Sequence, residues 1–241
     1  MPSGDDPVAL EPQAVRARLQ AIRARITAAG GDPDRISVVA VTKGHGLDAV
    51  RAALAVGLRD IGENYAPELL EKAAAIEPLL DGAPAPRWHF LGRVQRNKVA
   101  RLAPVVSCWQ GVARPVEAVA IARHCEAPEV FVEIDLSGQP GRGGCQPPDA
   151  ERVVEAARLA GCVVRGLMTI APLAEGGADG ADGAAQAATA AEAFATVAEL
   201  AKTLGLGELS MGMSHDLEQA VAAGTTMVRI GTALFGERPG Q

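Results

Sequence analysis

The sequence predicts an α/β fold, a single (β/α)8 TIM barrel preceded by an extra N-terminal helix. Short strand-like runs of apolar residues alternate with helical segments, and each helical segment has about the length that a crossover between parallel strands requires. The alternation repeats eight times, which is the number of strands that closes such a barrel. The chain has 241 residues and is 48% hydrophobic, so it can bury a core of this size.

The N-terminal helix is predicted over residues 8–29, because its apolar residues recur at spacings of three, four and seven and two glycines follow it. These apolar residues are Val8, Val15, Leu19, Ile22 and Ile26. The eight predicted strands are 36–43, 59–64, 87–92, 104–110, 129–136, 163–170, 208–213 and 227–235. The helical segments between them lie near 47–56, 66–80, 95–103, 114–126, 149–160, 186–204 and 216–223.

An open doubly wound sheet is the alternative architecture for this alternation. That class usually has a G-x-G-x-x-G turn after its first strand, and the segment "TKGHGLD" lacks the pattern. The segment 174–190, "AEGGADGADGAAQAATA", has no large side chain, so we expect a mobile loop that grades into a helix. No other linker divides the chain, which predicts one domain over residues 1–241.

Charge and composition exclude several classes of protein. The net charge is −6 and the basic residues are scattered, which argues against a nucleic-acid partner. Neither a signal peptide nor a run of about eighteen apolar residues is present, so we expect a cytoplasmic protein with no membrane partner. The four cysteines form no C-x-x-C pair, which argues against a zinc site and against a disulfide framework.

Polar residues follow several predicted strands at the rim where barrels place their binding groups. Lys43 closes the first strand in "SVVAVTKGHG", and Asn64 closes the second in "GENY". Ser214 follows strand seven, and Arg229 lies within strand eight. These positions predict a binding site at the carboxyl-terminal rim of the barrel.

The alternation of side chains along a strand predicts where the two cations point. Lys43 shares a face of its strand with Val39 and Val41, as Arg229 does with Met227. We therefore expect both cations to point into the barrel.

Each of these residues also has a plainer interpretation. A lysine at a strand end commonly reaches solvent along its aliphatic chain. Arg229 is harder to explain in this way, because a guanidinium between Val228 and Ile230 needs a carboxylate or a ligand as a partner. Ser214 followed by Asp216 is also typical of a helix N-cap.

An inward lysine, an inward arginine and a segment of small residues on one rim indicate a phosphorylated ligand that carries a carbonyl group. Pyridoxal 5′-phosphate fits, because its aldehyde forms a Schiff base with lysine. A permanent cation such as Arg229 beside the pyridine nitrogen would weaken the cofactor as an electron sink. A class I aldolase that uses Lys43 on a sugar phosphate is an alternative that rests on the fold alone.

Four blocks of sequence carry a resemblance to a known family. They are "VAVTKGHGLDAVRAALAVGLRDIGENY", "WHFLGRVQRNK", "VRGLMTIAP" and "LSMGMSHDLEQAVAAGTTMVRIGTALFG". These blocks resemble the pyridoxal phosphate homeostasis protein family, whose fold is similar to the barrel domain of bacterial alanine racemase. The resemblance spans about residues 36–236, nearly the whole chain.

The resemblance implies a set of cofactor-binding residues, with no catalytic residue and no metal. The set is Lys43, Asn64, Met211, Ser214, Arg229, Gly231 and Thr232. Lys43 would carry the cofactor as an aldimine, and Arg229 would face the pyridine nitrogen. Ser214, Gly231 and Thr232 would contact the phosphate, and the other two residues would line the cofactor.

One departure lies beside the predicted Schiff-base residue. The family usually has "SKTKP" where this chain has "TKGHG", so His45 stands in place of a second lysine. The departure removes any role that a second amine would have. His89, in the block "WHFLG", is expected to point inward in a structural role.

The resemblance implies a carrier that holds pyridoxal phosphate and serves intracellular vitamin B6 homeostasis, with apo-enzymes as possible recipients. Alanine racemase places a tyrosine from a separate C-terminal domain across the cofactor, whereas this chain ends at Gln241 and its only tyrosine, Tyr65, follows strand two. We therefore expect an open site without catalytic turnover. A monomer is expected, and a fold-type III amino-acid racemase is the alternative function.

Overall fold

The computed structural model describes residues 10–139, 141–173 and 183–238. Eight parallel strands in these ranges form a closed barrel in sequence order, and the last strand pairs with the first. The strands are β1 (Ser37–Val41), β2 (Asp60–Glu63), β3 (Arg87–Phe90), β4 (Val106–Val112), β5 (Glu129–Ile134), β6 (Val163–Thr169), β7 (Glu208–Ser210) and β8 (Met227–Ile230). The predicted fold class is confirmed.

Helices follow the strands and cover the outside of the barrel. They are α1 (Pro12–Ala28), α2 (Leu47–Ala55), α3 (Ala66–Ile76), α4 (Arg96–Leu102), α5 (Pro115–Ala122), α6 (Ala150–Leu159), α7 (Gly183–Thr203), α8 (Leu217–Ala222) and α9 (Thr232–Phe235). Two short 3-10 helices lie at Glu77–Leu79 and Pro147–Asp149. None of the helices in the described part of the chain combines the length and the apolar character that a membrane span requires.

The strands are apolar on both faces because both faces are covered. On β1, Val38 and Ala40 belong to the large core between the barrel and its helices. Val39 belongs to a second cluster inside the barrel, and its neighbours there are Cys108, Phe131, Met168 and Met227. The alternation predicted for β1 and β8 therefore holds, and it directs every second side chain of these strands into the barrel.

Helix α1 lies outside the barrel repeat and packs on the helices that flank the closure between β8 and β1. It contacts α2, α8 and α9, and its buried face has the residues predicted from the spacing: Val15, Leu19, Ile22 and Ile26. Arg18 adds a hydrogen bond of 3.3 Å from its guanidinium to the carbonyl oxygen of Leu234 in α9. The helix begins at Pro12, later than the predicted residue 8, which lies outside the described residues.

Several predicted boundaries differ from the observed ones, and the end of the eighth strand differs most. The eighth strand was expected over 227–235, but β8 ends at Ile230 and the next residues form the short helix α9, because a short apolar run does not distinguish a strand from a buried helical turn. The segment 174–190 was predicted as a loop that grades into a helix from about residue 186, and α7 begins three residues earlier, at Gly183, since alanine-rich sequence has the highest helix propensity. Residues 174–182 lie outside the described part of the chain.

Candidate functional site

A cavity of about 160 Å³ opens at the carboxyl-terminal rim of the barrel. Six of the predicted site residues line it: Lys43, Asn64, Ser214, Arg229, Gly231 and Thr232. The other lining residues are Val41, His45, Leu91, Met168, Ile170, Met213, His215 and Arg238. The barrel thus brings residues from both ends of the sequence to one cavity.

Met211 is the predicted site residue that the structure does not bring to the cavity. Its side chain is fully buried in the core between the barrel and the helices. The preceding residue, Ser210, points into the barrel, so the alternation of side chains turns Met211 outward. The methionines on the cavity wall are Met168 and Met213.

The charges of the cavity wall are all positive. Lys43, Arg229 and Arg238 line it, and the wall contains no aspartate or glutamate among the described residues. The chain as a whole has a net charge of −6, so the cavity is a local exception to the charge of the protein. A concave surface of this kind concentrates anions.

The environment of Lys43 favours the uncharged form of its amine. Burial lowers the pKa of Lys43, and the positive charges of Arg238 and Arg229 lower it further. Within the described residues, no carboxylate lies at ion-pair distance from this amine. A larger fraction of Lys43 is therefore unprotonated near neutral pH, and the unprotonated amine is the form that attacks a carbonyl group.

A buried charge cluster holds the backbone on both sides of the cavity lysine. Lys72 Nζ donates hydrogen bonds to the carbonyl oxygen of Thr42 at 2.7 Å and to the carboxylate of Glu63 at 2.6 Å. It also pairs at 2.7 Å with Glu68, whose carboxylate accepts the backbone N–H of Gly44 at 2.7 Å. Gly44 has φ of +73°, which favours glycine at this position. The cluster therefore fixes the loop that presents the lysine.

Arg229 finds its hydrogen-bond partners at the ends of neighbouring strands. Its guanidinium donates to the carbonyl oxygen of Thr169 at 2.7 Å, to the hydroxyl of Ser210 at 2.8 Å and to the carbonyl oxygen of Ser210. Burial lowers the pKa of Arg229 to about 10, and the charges of Asp216 and Glu133 oppose that shift. Arg229 therefore remains a cation near neutral pH, although no carboxylate among the described residues touches it.

Ser214 is held by two other parts of the chain. Its hydroxyl accepts the backbone N–H of Ala233 at 3.1 Å. Its carbonyl oxygen accepts a hydrogen bond of 3.0 Å from Arg25 of α1, which also forms a two-bond ion pair with Glu218. Ser214 is not the N-cap of α8, because Asp216 occupies that position. Helix α1 thus braces one wall of the cavity.

Asn64 carries a buried polar atom that the protein does not satisfy. Its side-chain oxygen Oδ1 has no hydrogen-bond partner among the described residues. Gly92 packs so closely beneath it that a Cβ at this position would collide with the backbone carbonyl of Asn64. A buried acceptor without a partner costs free energy, so this atom indicates a place for a ligand or a water molecule.

Sequence reasoning missed several polar side chains at or near the cavity. His215 and Arg238 belong to its wall, and Lys72 holds the loop beside it. Glu133 is buried on β5, and its place in "VFVEIDL" carries the same signal as Arg229, a charged residue within an apolar strand. That signal could have found Glu133 from the sequence, whereas the other three depend on tertiary contacts.

Glu133 is tightly packed just inside the carboxyl-terminal rim of the barrel. Gly143 and Gly111 pack against its carboxylate, and a Cβ on Gly143 would lie 2.8 Å from Oε2. Burial raises the pKa of Glu133 to about 7, although the charge of Arg229 opposes the shift. This carboxylate therefore titrates near neutral pH.

Comparisons with known proteins place the fold and the site in context. Residues 10–239 match the family described as alanine racemase, N-terminal domain. A pyridoxal phosphate homeostasis protein of Pseudomonas aeruginosa is 40% identical over 229 residues, which cover 90% of this chain and 91% of that protein.

Two solved structures have the same architecture. The structure of PipY from Synechococcus elongatus PCC7942 with PLP bound has a TM-score of 0.77 and 31% identity, over 92% of this chain and 100% of that chain. Alanine racemase from Corynebacterium glutamicum has a TM-score of 0.68 and 18% identity, over 95% of this chain and 63% of that chain. The second likeness concerns the fold alone, and it confirms the predicted alanine-racemase-like barrel.

The first prediction from this geometry concerns Lys72. We expect Lys72→Met to lower the free energy of unfolding by about 3–5 kcal/mol, because it leaves the fully buried carboxylate of Glu63 without its cation. Urea denaturation measures the loss, and Lys202→Met, which removes an exposed lysine, should change stability by less than about 0.5 kcal/mol. The double variant Lys72→Met/Glu63→Gln should recover part of the loss. Equal stabilities of Lys72→Met and Lys202→Met would contradict the role given to the cluster.

The second prediction concerns the pH dependence that Glu133 confers. Because the pKa of Glu133 is raised in the folded protein, its contribution to stability is fully present below the ordinary value of 4.5 and is lost as the pH rises through about 7. We expect the free energy of unfolding of the wild type to fall by roughly 3 kcal/mol relative to that of Glu133→Gln between pH 4.5 and pH 8. Urea denaturation across this range measures it. Glu71→Gln, at an exposed position, is the control and should run parallel to the wild type.

Proposed function

This chain belongs to the pyridoxal phosphate homeostasis protein family, and we propose that it binds pyridoxal 5′-phosphate at Lys43 and serves vitamin B6 homeostasis without catalytic turnover. The observation that carries the proposal is one cavity that holds a lysine of lowered pKa, two further cations and no carboxylate among the described residues. When bound, the cofactor supplies an aldehyde that reacts with a primary amine and a phosphate that carries negative charge.

The residues of the cavity fit the two ends of this ligand. The unprotonated amine of Lys43 suits the aldehyde. The hydroxyls of Ser214 and Thr232 lie on the same wall as Gly231, where a side chain would meet the backbone of β1. Together with the surrounding positive charge, these groups suit a phosphate. The unpaired oxygen of Asn64 offers one more polar contact.

Arg229 supports a carrier more than a catalyst. Its guanidinium keeps its proton near neutral pH, so it can donate a hydrogen bond to a pyridine nitrogen but cannot accept one. A nitrogen that faces a permanent cation stays unprotonated, and the ring then withdraws electrons weakly. Transfer to apo-enzymes, the monomeric state and the cytoplasmic location remain predictions from the sequence.

A labelling experiment tests the cofactor proposal. We expect the protein to gain an absorbance band in the visible or near-ultraviolet with pyridoxal 5′-phosphate, and borohydride to remove the band and leave the label on Lys43. Lys43→Ala should lose both signals, whereas Lys202→Ala, at an exposed position, should keep them. Because the chain has lysines only at 43, 72, 98 and 202, peptide mass mapping identifies the labelled residue. A label confined to another lysine, or no new band, would contradict the proposal.

An amino-acid racemase is the second candidate, and one observation favours it. His45 and His215 line the cavity and could act as acid–base groups, whereas Tyr65 is 63% exposed and does not line it. Burial and the charge of Lys72 lower the pKa of His45, which leaves its imidazole neutral near pH 7.

Deuterium exchange distinguishes the carrier from the racemase. We expect single enantiomers of amino acids, incubated in D₂O with the protein and pyridoxal 5′-phosphate, to take up no deuterium at Cα above the rate with the free cofactor. Faster uptake that His45→Gln or His215→Gln abolishes would instead establish the racemase. Lys43→Ala serves as the control for reaction outside the site.

A further inference from the structure

A continuous chain of hydrogen bonds crosses the inside of the barrel from Arg229 to the opposite rim. Arg229 donates to the hydroxyl of Ser210 at 2.8 Å, and this hydroxyl donates to Gln110 Oε1 at 2.6 Å. Gln110 Nε2 lies 2.7 Å from His89 Nδ1, and His89 Nε2 lies 2.9 Å from Asp60 Oδ1. We call the last four residues, Ser210, Gln110, His89 and Asp60, the interior relay.

The three middle members of the chain have no contact with solvent. Ser210, Gln110 and His89 are each 0% exposed. Buried polar groups are costly unless their hydrogen bonds are made, so the relay can exist only when each member meets the donor or acceptor that it needs. Asp60 begins β2 at the amino-terminal rim, where Arg87 approaches it at 3.4 Å.

Asp60 determines the direction of the hydrogen bonds that start from it. Its carboxylate can only accept, so His89 donates through Nε2. Burial alone would raise the pKa of Asp60, but the hydrogen bond from His89 and the nearby charge of Arg87 hold it below its ordinary value. A neutral imidazole that donates through Nε2 must accept at Nδ1, and it accepts there from the amide of Gln110.

The same direction continues as far as the guanidinium. With its amide nitrogen facing His89 and the sulfur of Met227, Gln110 turns its oxygen toward Ser210. The hydroxyl proton of Ser210 is then used on Gln110, and a lone pair remains for Arg229. If the order were reversed, Ser210 would have to accept from Gln110 and from Arg229 at once and find another acceptor for its proton.

We propose that the interior relay is a positioning device for Arg229, which it orients toward the pyridine nitrogen of bound pyridoxal 5′-phosphate by keeping a lone pair of Ser210 directed at the guanidinium. The proposal rests on the proposed function, since it concerns the same cavity. The relay orders Arg229 without placing a carboxylate in contact with it. A direct carboxylate would offset the positive charge that the ring nitrogen meets, whereas a neutral hydroxyl leaves that charge in place.

The state of His89 in the cofactor-free protein provides the first test. The chain has four histidines, so ¹⁵N NMR can assign His89 by comparison with His89→Gln. We expect a neutral imidazole with its proton on Nε2. A proton on Nδ1, or a doubly protonated ring, would overturn the proposal whether or not the protein binds the cofactor.

Variants of the relay provide the second test, with the spectrum and the dissociation constant of pyridoxal 5′-phosphate as readouts. We expect Ser210→Ala to weaken binding about ten-fold and to change the absorption spectrum of the bound cofactor, because Arg229 loses a charge-assisted hydrogen bond. Asp60→Ala should change the spectrum in the same direction, although Asp60 lies at the far rim. Without this acceptor, His89 should no longer be held in one tautomer. Asp60→Asn keeps an acceptor for His89 and should restore the wild-type spectrum.

A matched control separates the relay from a general effect of charge at the rim. Glu208 also lies at the amino-terminal rim, where it pairs with Arg165, and it precedes Ser210 on β7. Glu208→Ala should leave the spectrum and the affinity unchanged. Equal effects of Glu208→Ala and Asp60→Ala, or a Ser210→Ala variant with wild-type spectrum and affinity, would overturn the proposal. If the wild type itself binds no pyridoxal 5′-phosphate, the proposed function fails, and the NMR result still decides the order of the relay.

Discussion

The pairing of β1 with β8 is the constraint on which the site depends. These strands come from opposite ends of the sequence, and their register sets Val39 beside Arg229 and Ala40 beside Ile230. Since parallel strands bring their carboxyl ends to one rim, this pairing alone places the loop of Lys43 next to the segment that follows β8. Helix α1 secures the same junction from outside, because it packs on α2, α8 and α9 at once. A cavity with cations from both ends of the chain follows from closure.

The positive charges gathered at this junction need nearby negative charge or dipoles to offset them. The two sides of the cavity supply these in different ways. Beside the loop of Lys43, the carboxylates of Glu63 and Glu68 compensate the charge of the buried Lys72, because both form ion pairs with it. Around Arg229, compensation comes from dipoles, because the carbonyl groups at the ends of β6 and β7 accept its hydrogen bonds. The second arrangement leaves a net positive charge facing the cavity, which is what an anionic ligand requires.

The sequence predicted the parts of this structure that depend on local pattern. Strand and helix periods predicted the barrel, and a charged residue inside an apolar strand identified Arg229. The sequence could not predict the parts that depend on the register between neighbouring strands. Gln110 and His89 meet because β3 and β4 pair with a bulge after Trp88, and no local pattern reveals that contact. Met211 is a different case: it was assigned from the resemblance, whereas local alternation along the strand, one position from the inward Ser210, turns its side chain outward.

The interior relay changes how the two rims of this barrel divide their roles. In barrels of this class, residues at the carboxyl-terminal rim usually serve function, and those at the amino-terminal rim serve stability. Here Asp60, at the amino-terminal rim, is the only relay member partly open to solvent, and its carboxylate orders three buried groups that end at Arg229. Apolar side chains could fill the same space at lower desolvation cost, as Val39 and Phe131 do in the neighbouring interior cluster. A chain of hydrogen bonds in their place orients each group from Asp60 to Arg229, which apolar packing cannot do. It also makes the cavity sensitive to substitution or protonation of Asp60 at the opposite rim.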